Sequence, residues 1–150
     1  MRLIKFIILF LFLHSFAYAD KNMKIGSKGK ESEVTRVVKV FMYDNYYEPS
    51  SFQIKAGETI KFEVENAGML VHEFNIANKM MHMKHQPEML KMVENEILLA
   101  DSIDKKKMKK MAKMDKAMGH SHSNSVLLEP KQKGEIIWKF DNALNIEVAC

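Results

Sequence analysis

The sequence predicts a mainly β protein, a β-sandwich interrupted by a largely helical insertion. Short segments before residue 77 and after residue 125 alternate apolar and polar residues, which is the period of a half-buried strand. The stretch between them instead repeats its apolar residues at helical spacing. Strands on both sides of a helical excursion favour two packed β-layers around one core, and a chain of 150 residues suits a single such domain.

The N-terminus has the layout of a secretory signal peptide. Two basic residues precede the unbroken apolar run Phe6–Leu13, and small residues follow it up to Ala19. Cleavage is predicted between Ala19 and Asp20, which makes residues 1–19 the signal peptide. The apolar run is too short for a membrane anchor, because a helix needs about 20 residues to span a bilayer. We therefore expect a periplasmic or secreted protein with no stable membrane anchor.

The exported chain is expected to begin with a lead-in and continue as one domain. Residues 20–33 are polar and lack periodicity, so they are predicted to be flexible. The domain is expected to cover residues 34–150. Its clearest strand is marked by Ile60, Phe62 and Val64, which alternate with polar residues after a Gly-Glu turn.

The insertion is expected at about residues 78–124, and its sequence favours two helices. The first is predicted to begin at Pro87, because proline suits the first turn of a helix. The second, predicted over Ile103–Met118, carries methionines at offsets of three and four residues, on one helical stripe. These are Met108, Met111, Met114 and Met118. Such a stripe is either a packing face or a row of thioether ligands, and the surrounding lysines disfavour a cation. The same basic helix would also suit an anionic membrane surface or an acidic partner.

Two residues on the strands have the chemistry of soft-metal ligands. In the segment VHEFNI, His72 shares a face with Phe74 and Ile76, so its imidazole is predicted to point into the core. In the final segment, Cys150 shares a face with Ile146. Cys150 is the one cysteine of the chain and cannot form an internal disulfide. A thiolate and a neutral imidazole suit copper, with zinc as the competitor, whereas the alternative is a hydrogen-bonded core histidine and a buried thiol.

Two blocks of the chain resemble the cupredoxin, or blue-copper, domain family. Tyr46–Ile76 contains an F-x-P-like element, a strand, a Gly-Glu turn, another strand, an asparagine and a histidine, in the order found in that family. Val126–Cys150 resembles the later strands and ends at a cysteine. The resemblance implies a cupredoxin-like antiparallel Greek-key β-sandwich that binds copper as Cu(I) or Cu(II). It also implies that His72 is the first imidazole ligand and Cys150 the thiolate ligand.

The family continues beyond the ligand cysteine, where this sequence has no residues. Members carry a second histidine and an axial methionine in the following loop, and a closing strand after it. We therefore expect a chain that is cut short at Cys150. Two of the four copper ligands and the last strand of the sandwich would then be missing.

The insertion carries further candidate copper ligands at both of its ends. Nine of the 13 methionines lie between Met80 and Met118, and histidines accompany them. Thioethers favour Cu(I), and imidazole accepts both copper states. The insertion also resembles the Met/His-bearing excursion of periplasmic cupredoxins linked to copper tolerance. The candidates for secondary copper sites are Met80, Met81, His82, Met83, His85, Met118, His120 and His122.

Together these features predict an exported copper-binding protein that buffers or relays copper in the periplasm, and not an enzyme. The sequence contains no nucleophile elbow, phosphate loop or HExxH pair. Removing the signal peptide lowers the formal net charge from +4 to +2, which gives no sign of a nucleic-acid partner. The expected partners are the copper ion and a copper-handling or redox protein. Two alternatives stay open: a blue-copper electron-transfer protein and a metal-free β-sandwich interaction module.

Overall fold

A computed structural model of the chain describes residues 25–142 and 144–147. The predicted signal peptide and Cys150 lie outside these residues. No helix in the described part of the chain is long and apolar enough to cross a lipid bilayer. The strands are β1 (Ser27–Lys28), β2 (Arg36–Met42), β3 (Tyr47–Glu48), β4 (Ser51–Ile54), β5 (Thr59–Asn66), β6 (His72–Asn75), β7 (Ser125–Leu128), β8 (Lys133–Lys139) and β9 (Leu144–Glu147). The helices are α1 (Lys79–Glu94) and α2 (Lys105–Met111), both between β6 and β7.

Five strands form the main sheet in the order β1-β8-β5-β2-β3. The central strand β5 runs antiparallel to β8, with Phe62 opposite Ile136, and parallel to β2, with Phe62 opposite Val38. The sequence predicts antiparallel strands throughout, and the parallel β2–β5 pair departs from this prediction. The chain leaves the main sheet between these two strands to form β4 in another ladder, and a parallel pair requires such a crossover.

Two smaller ladders, β4 with β9 and β6 with β7, cover one face of the main sheet. Aromatic rings join the layers. The ring of Phe62 on β5 lies 5.3 Å, between centroids, from both Phe52 on β4 and Phe74 on β6. Phe62 is completely buried, and burying a phenylalanine contributes about 1.5–3 kcal/mol. Two β-layers around one aromatic core confirm the predicted mainly β sandwich.

Part of the predicted flexible lead-in belongs to the main sheet. Strand β1 lies at the edge of the sheet, with Lys28 opposite Trp138. The Gly29 N–H donates to the Ile137 carbonyl at 2.9 Å, and any side chain at Gly29 would collide with Thr59. The prediction of a flexible lead-in was therefore wrong for this stretch, because pairing with a strand more than 100 residues away orders a locally featureless sequence.

The first helix begins earlier than the sequence predicted. Helix α1 starts at Lys79 and contains Pro87 in its interior, so the predicted start at Pro87 was wrong. The Asn78 side chain accepts a hydrogen bond from the Met81 N–H at 2.9 Å. An asparagine in this position satisfies one of the unpaired donors of the first turn, and this cap fixes the start of the helix.

The predicted methionine stripe is divided among several elements. Helix α2 ends at Met111, so the prediction of one helix up to Met118 was wrong. Met118 lies on a separate 3₁₀ turn, Lys116–Gly119, and is buried in a small apolar cluster, the insertion core, which also contains Met92 and Ile97. Met111 packs against this cluster, whereas the side chain of Met114 is 74% exposed. The stripe is therefore mainly a packing face, which is the common use of methionine on a helix.

Candidate metal centres

The first candidate centre, which we call the His72 centre, lies where β6 begins. His72 is the first residue of that strand and is only 5% exposed, as its alternation with polar residues predicted. Its Nε2 lies 3.0 Å from Oδ1 of Asp44, and the ring of Tyr47 packs against it edge-on. Because the carboxylate engages Nε2, a metal at this residue would be bound through Nδ1.

Asp44 also organises the loop that leads to His72. Its Oδ1 accepts the backbone N–H of Met69 at 2.8 Å and of Leu70 at 3.0 Å. The hydrogen bond from His72, and then those from the loop, hold the pKa of Asp44 below its ordinary value. A side chain at Gly68 would collide with this carboxylate, so glycine permits the close passage of the loop. An ionised carboxylate behind an imidazole fixes the ring and strengthens it as a metal ligand.

Asn66 connects the same loop to the neighbouring strand. Its side chain is completely buried, and its Nδ2 donates to the carbonyls of Leu70 and Leu128 at 2.8 Å each. Its Oδ1 accepts the Gly68 N–H at 2.9 Å. Leu128 pairs with His72 in the β6–β7 ladder, so Asn66 fixes the loop against the strand that holds the imidazole.

The predicted thiolate partner, Cys150, lies outside the described residues. The strand before it, β9, pairs with β4, with Phe52 opposite Ile146. The fit of copper to this centre is therefore judged on His72 alone. A buried imidazole that a carboxylate orients is a ligand that suits copper as well as zinc.

A second candidate centre, the His₃ cluster, consists of His85 on α1 and of His120 and His122 after the 3₁₀ turn. One ring nitrogen from each of the three lies within 4.8 Å of the others. The ring centroids are 5.0–5.2 Å apart. The ring plane of His122 is nearly perpendicular to those of His85 and His120, at 86° and 89°, so His122 does not stack on either neighbour.

Two glutamates bracket the His₃ cluster. Glu73 on β6 lies 3.1 Å from Nε2 of both His85 and His120. Glu88 on α1 lies 3.2 Å from Nδ1 of His85 and 3.0 Å from Nε2 of His122. Burial raises the pKa of Glu73, but the hydrogen bond and charge of His120, with the charge of His85, outweigh it and leave the pKa below its ordinary value. The Glu73 carboxylate is therefore suited to face positive charge.

His120 is the most constrained member of the cluster. Its side chain is 4% exposed, and its backbone has φ 43° and ψ 51°, in the left-handed region that non-glycine residues seldom adopt. Its Nε2 is buried and has no aligned hydrogen bond, although Glu73 Oε1 lies 3.1 Å away. A buried ring nitrogen without an aligned donor or acceptor is rare and calls for an explanation.

The structure places three of the five other sequence candidates away from this cluster. Met80 and Met83 are 42% and 61% exposed on α1, and Met118 is buried in the insertion core. The remaining two, Met81 and His82, are half-buried on α1 and line two different cavities beside His85.

Sequence reasoning missed the carboxylates around both centres, whereas the asparagine before His72 was part of the family resemblance. Glu73 directly follows His72, and Glu88 is three residues after His85 on a helix, so their spacing was a usable signal. Asp44 lies 28 residues before its histidine, and no local pattern marks it.

Comparisons with known proteins agree with this architecture. A family model described as a cupredoxin-like domain matches residues 5–101. The copper-resistant cuproprotein CopI of Pseudomonas aeruginosa is 38% identical over 139 residues, covering 83% of this chain and 72% of the relative. CopI of Rubrivivax gelatinosus is 27% identical, covering 91% of this chain and 70% of the relative, and CopI of Vibrio cholerae is 22% identical, covering 84% and 62%. No solved structure matches the chain.

Proposed function

Because this chain belongs to the cupredoxin-like domain family, we propose that it is an exported copper-binding protein that buffers or relays copper and so supports copper resistance. The relatives named copper-resistant cuproproteins support the copper-resistance part of this proposal. The periplasmic location rests on the predicted signal peptide, and the buffering or relay step on the soft-metal ligands.

The observation that carries the proposal is the setting of His72. Its imidazole is buried at the start of a core strand, and Asp44 engages its Nε2 at 3.0 Å. A histidine ligand is typically oriented by such a carboxylate, which fixes the tautomer and leaves Nδ1 as the ligand atom. In our proposal Cys150 supplies the thiolate, and together these two residues hold copper in either oxidation state.

Copper titration of the mature chain tests the role of His72. His72→Ala should remove the tightest copper-binding equivalent, because the first imidazole ligand is lost. His82→Ala is the matched control, since it removes a half-buried imidazole from α1 that belongs to neither centre. Equal copper stoichiometry and affinity in wild type and His72→Ala would remove His72 from the site and refute its proposed role. Absence of copper binding in both proteins would favour a metal-free interaction module.

Transfer to a mild copper chelator tests the buffering or relay step. A protein that buffers or relays copper should lose its bound copper readily to the chelator. Retention of the copper through the same challenge would contradict this step and favour a one-electron carrier, in which the metal stays in place.

The insertion is proposed to bind further metal. Of the eight candidates named from the sequence, His85, His120 and His122 converge on one point. In our proposal these three histidines form the secondary site, and the methionines mainly pack the insertion or lie at its surface.

A further inference from the structure

We propose that the His₃ cluster, completed by Glu73, is a site for a divalent ion of borderline softness, Cu(II) or Zn(II), and not for Cu(I). The inference rests on the proposed copper-handling function and specifies which metal its secondary site takes. His85, His120 and His122 supply nitrogen ligands and Glu73 supplies an oxygen ligand. Glu88 orients two of the rings from outside the coordination sphere.

The positions of the donors fit one ion. Metal–nitrogen and metal–oxygen bonds of about 2.0–2.2 Å place ligand atoms of one ion roughly 3 Å apart. Glu73 lies 3.1 Å from Nε2 of both His85 and His120, which is already this spacing. The nitrogens of all three histidines lie within 4.8 Å, so modest rotation of the rings would close them on the ion.

The contact between His120 and Glu73 is a second observation, independent of the spacing of the donors. The ring of His120 is 4% exposed, and its Nε2 lies 3.1 Å from Glu73 Oε1 in a contact that is poorly aligned for a hydrogen bond. A buried nitrogen and a carboxylate oxygen that are close but poorly aligned for a hydrogen bond are in positions from which both can bind one cation. The left-handed backbone of His120 holds its ring in this place at an energetic cost, which is usual at functional sites.

The chemistry of the donors selects the oxidation state. Three imidazoles and one carboxylate suit Zn(II) and Cu(II), whereas Cu(I) prefers thiolates and thioethers. Most of the candidate thioethers lie elsewhere, since Met80 and Met83 are exposed and Met118 is buried in the insertion core. Met81 alone of the four lines a cavity beside His85, and one thioether among three imidazoles does not make a thioether-rich site. Two partly buried carboxylates, 13% and 15% exposed, also require compensation by positive charge, which a divalent ion provides.

Glu88 has the contacts of an orienting group. It engages Nδ1 of His85 while Glu73 faces Nε2 of the same ring, so His85 stands between a ligand carboxylate and an orienting one. A solvent-connected cavity of about 240 Å³ is lined by His85, Glu88 and His122. An ion can therefore reach the side of the cluster that His85 and His122 form from the surface.

The test uses the mature chain carrying His72→Ala, so that the His72 centre does not contribute. Zn(II) is titrated by calorimetry, Cu(II) by electron paramagnetic resonance, and Cu(I) anaerobically against a chromophoric competitor. We expect the protein to bind one equivalent of Zn(II) or of Cu(II), and the Cu(II) spectrum to show nitrogen ligands. Cu(I) should bind more weakly than either divalent ion. His120→Asn should lower divalent affinity by at least about 100-fold, the upper end of the effect of removing an outer-shell partner. Asparagine is chosen because it tolerates the left-handed backbone.

Two further variants, with His82→Ala as a control, allow the test to be interpreted even if one variant misfolds. His122→Ala changes a ring that is 34% exposed, so it should weaken divalent binding without loss of the fold. Glu88→Gln should weaken it by about 10- to 100-fold, as for an orienting group, and His82→Ala should leave it unchanged. Tighter binding of Cu(I) than of either divalent ion, or unchanged divalent affinity in folded His122→Ala and His120→Asn, would overturn the inference. Since the His72-dependent copper is measured separately in wild type, failure here is distinguishable from failure of the proposed function.

Discussion

Removal of the Asn66 side chain should destabilise the fold and the His72 centre together. Asn66→Ala deletes three hydrogen bonds, two from Nδ2 to the Leu70 and Leu128 carbonyls and one from the Gly68 N–H to Oδ1. Each contributes roughly 0.5–1.5 kcal/mol net, so the expected loss in the free energy of unfolding is about 3 kcal/mol. A typical domain has about 5–15 kcal/mol of stability, so the variant should still fold.

Urea unfolding of the metal-free chain measures this loss, and Asn95→Ala is the matched control. Asn95 makes one side-chain hydrogen bond, to the Lys91 carbonyl at 2.8 Å, and the expected loss there is below about 1.5 kcal/mol. Copper affinity of folded Asn66→Ala should fall by at least about tenfold, the lower end of outer-shell effects, because the loop before His72 loses its anchor. A loss of stability no larger than that of Asn95→Ala would refute the role assigned to Asn66.

Three further outcomes are expected. Asp44→Asn should weaken copper binding by about 10- to 100-fold while the stoichiometry stays the same, because the charged group behind His72 is lost; unchanged affinity in a competition titration would contradict this. Met118→Leu should cost less than about 1.5 kcal/mol in urea unfolding and leave Cu(I) stoichiometry unchanged, since Met118 packs the insertion core; a lost Cu(I) equivalent would make it a ligand. Glu129 accepts a hydrogen bond from the Lys105 ammonium at 2.7 Å and another from the backbone N–H of Ile103. The first and then the second hold the pKa of Glu129 below its ordinary value of 4.5. The ionised Glu129 therefore stabilises the fold fully above pH 4.5, and this stabilisation is lost as the pH falls through the lowered pKa of the folded protein. The difference in melting temperature between wild type and Glu129→Gln should shrink at acid pH, and a difference that stays constant would contradict the ion pair.

The sequence by itself determined the β-sandwich, the helical insertion and the inward direction of His72. These features depend on local periodicity, because a strand alternates its faces every two residues and a core must bury one of them. The cupredoxin resemblance followed from the order of the same elements and agrees with the family match. Predictions for Cys150 concern a residue outside the described structure and stay predictions.

Tertiary structure decided which of the candidate ligands meet. His85 and His122 are 37 positions apart in the chain, and only the packing of the 3₁₀ turn against α1 brings their rings to 5.0 Å. Spacing in the sequence grouped the histidines with neighbouring methionines, whereas folding turned most of those thioethers to the surface or into the insertion core. The sequence did not reveal Asp44 for the same reason. A carboxylate and an imidazole interact when they are close in space, whereas a sequence pattern shows only how far apart they are along the chain.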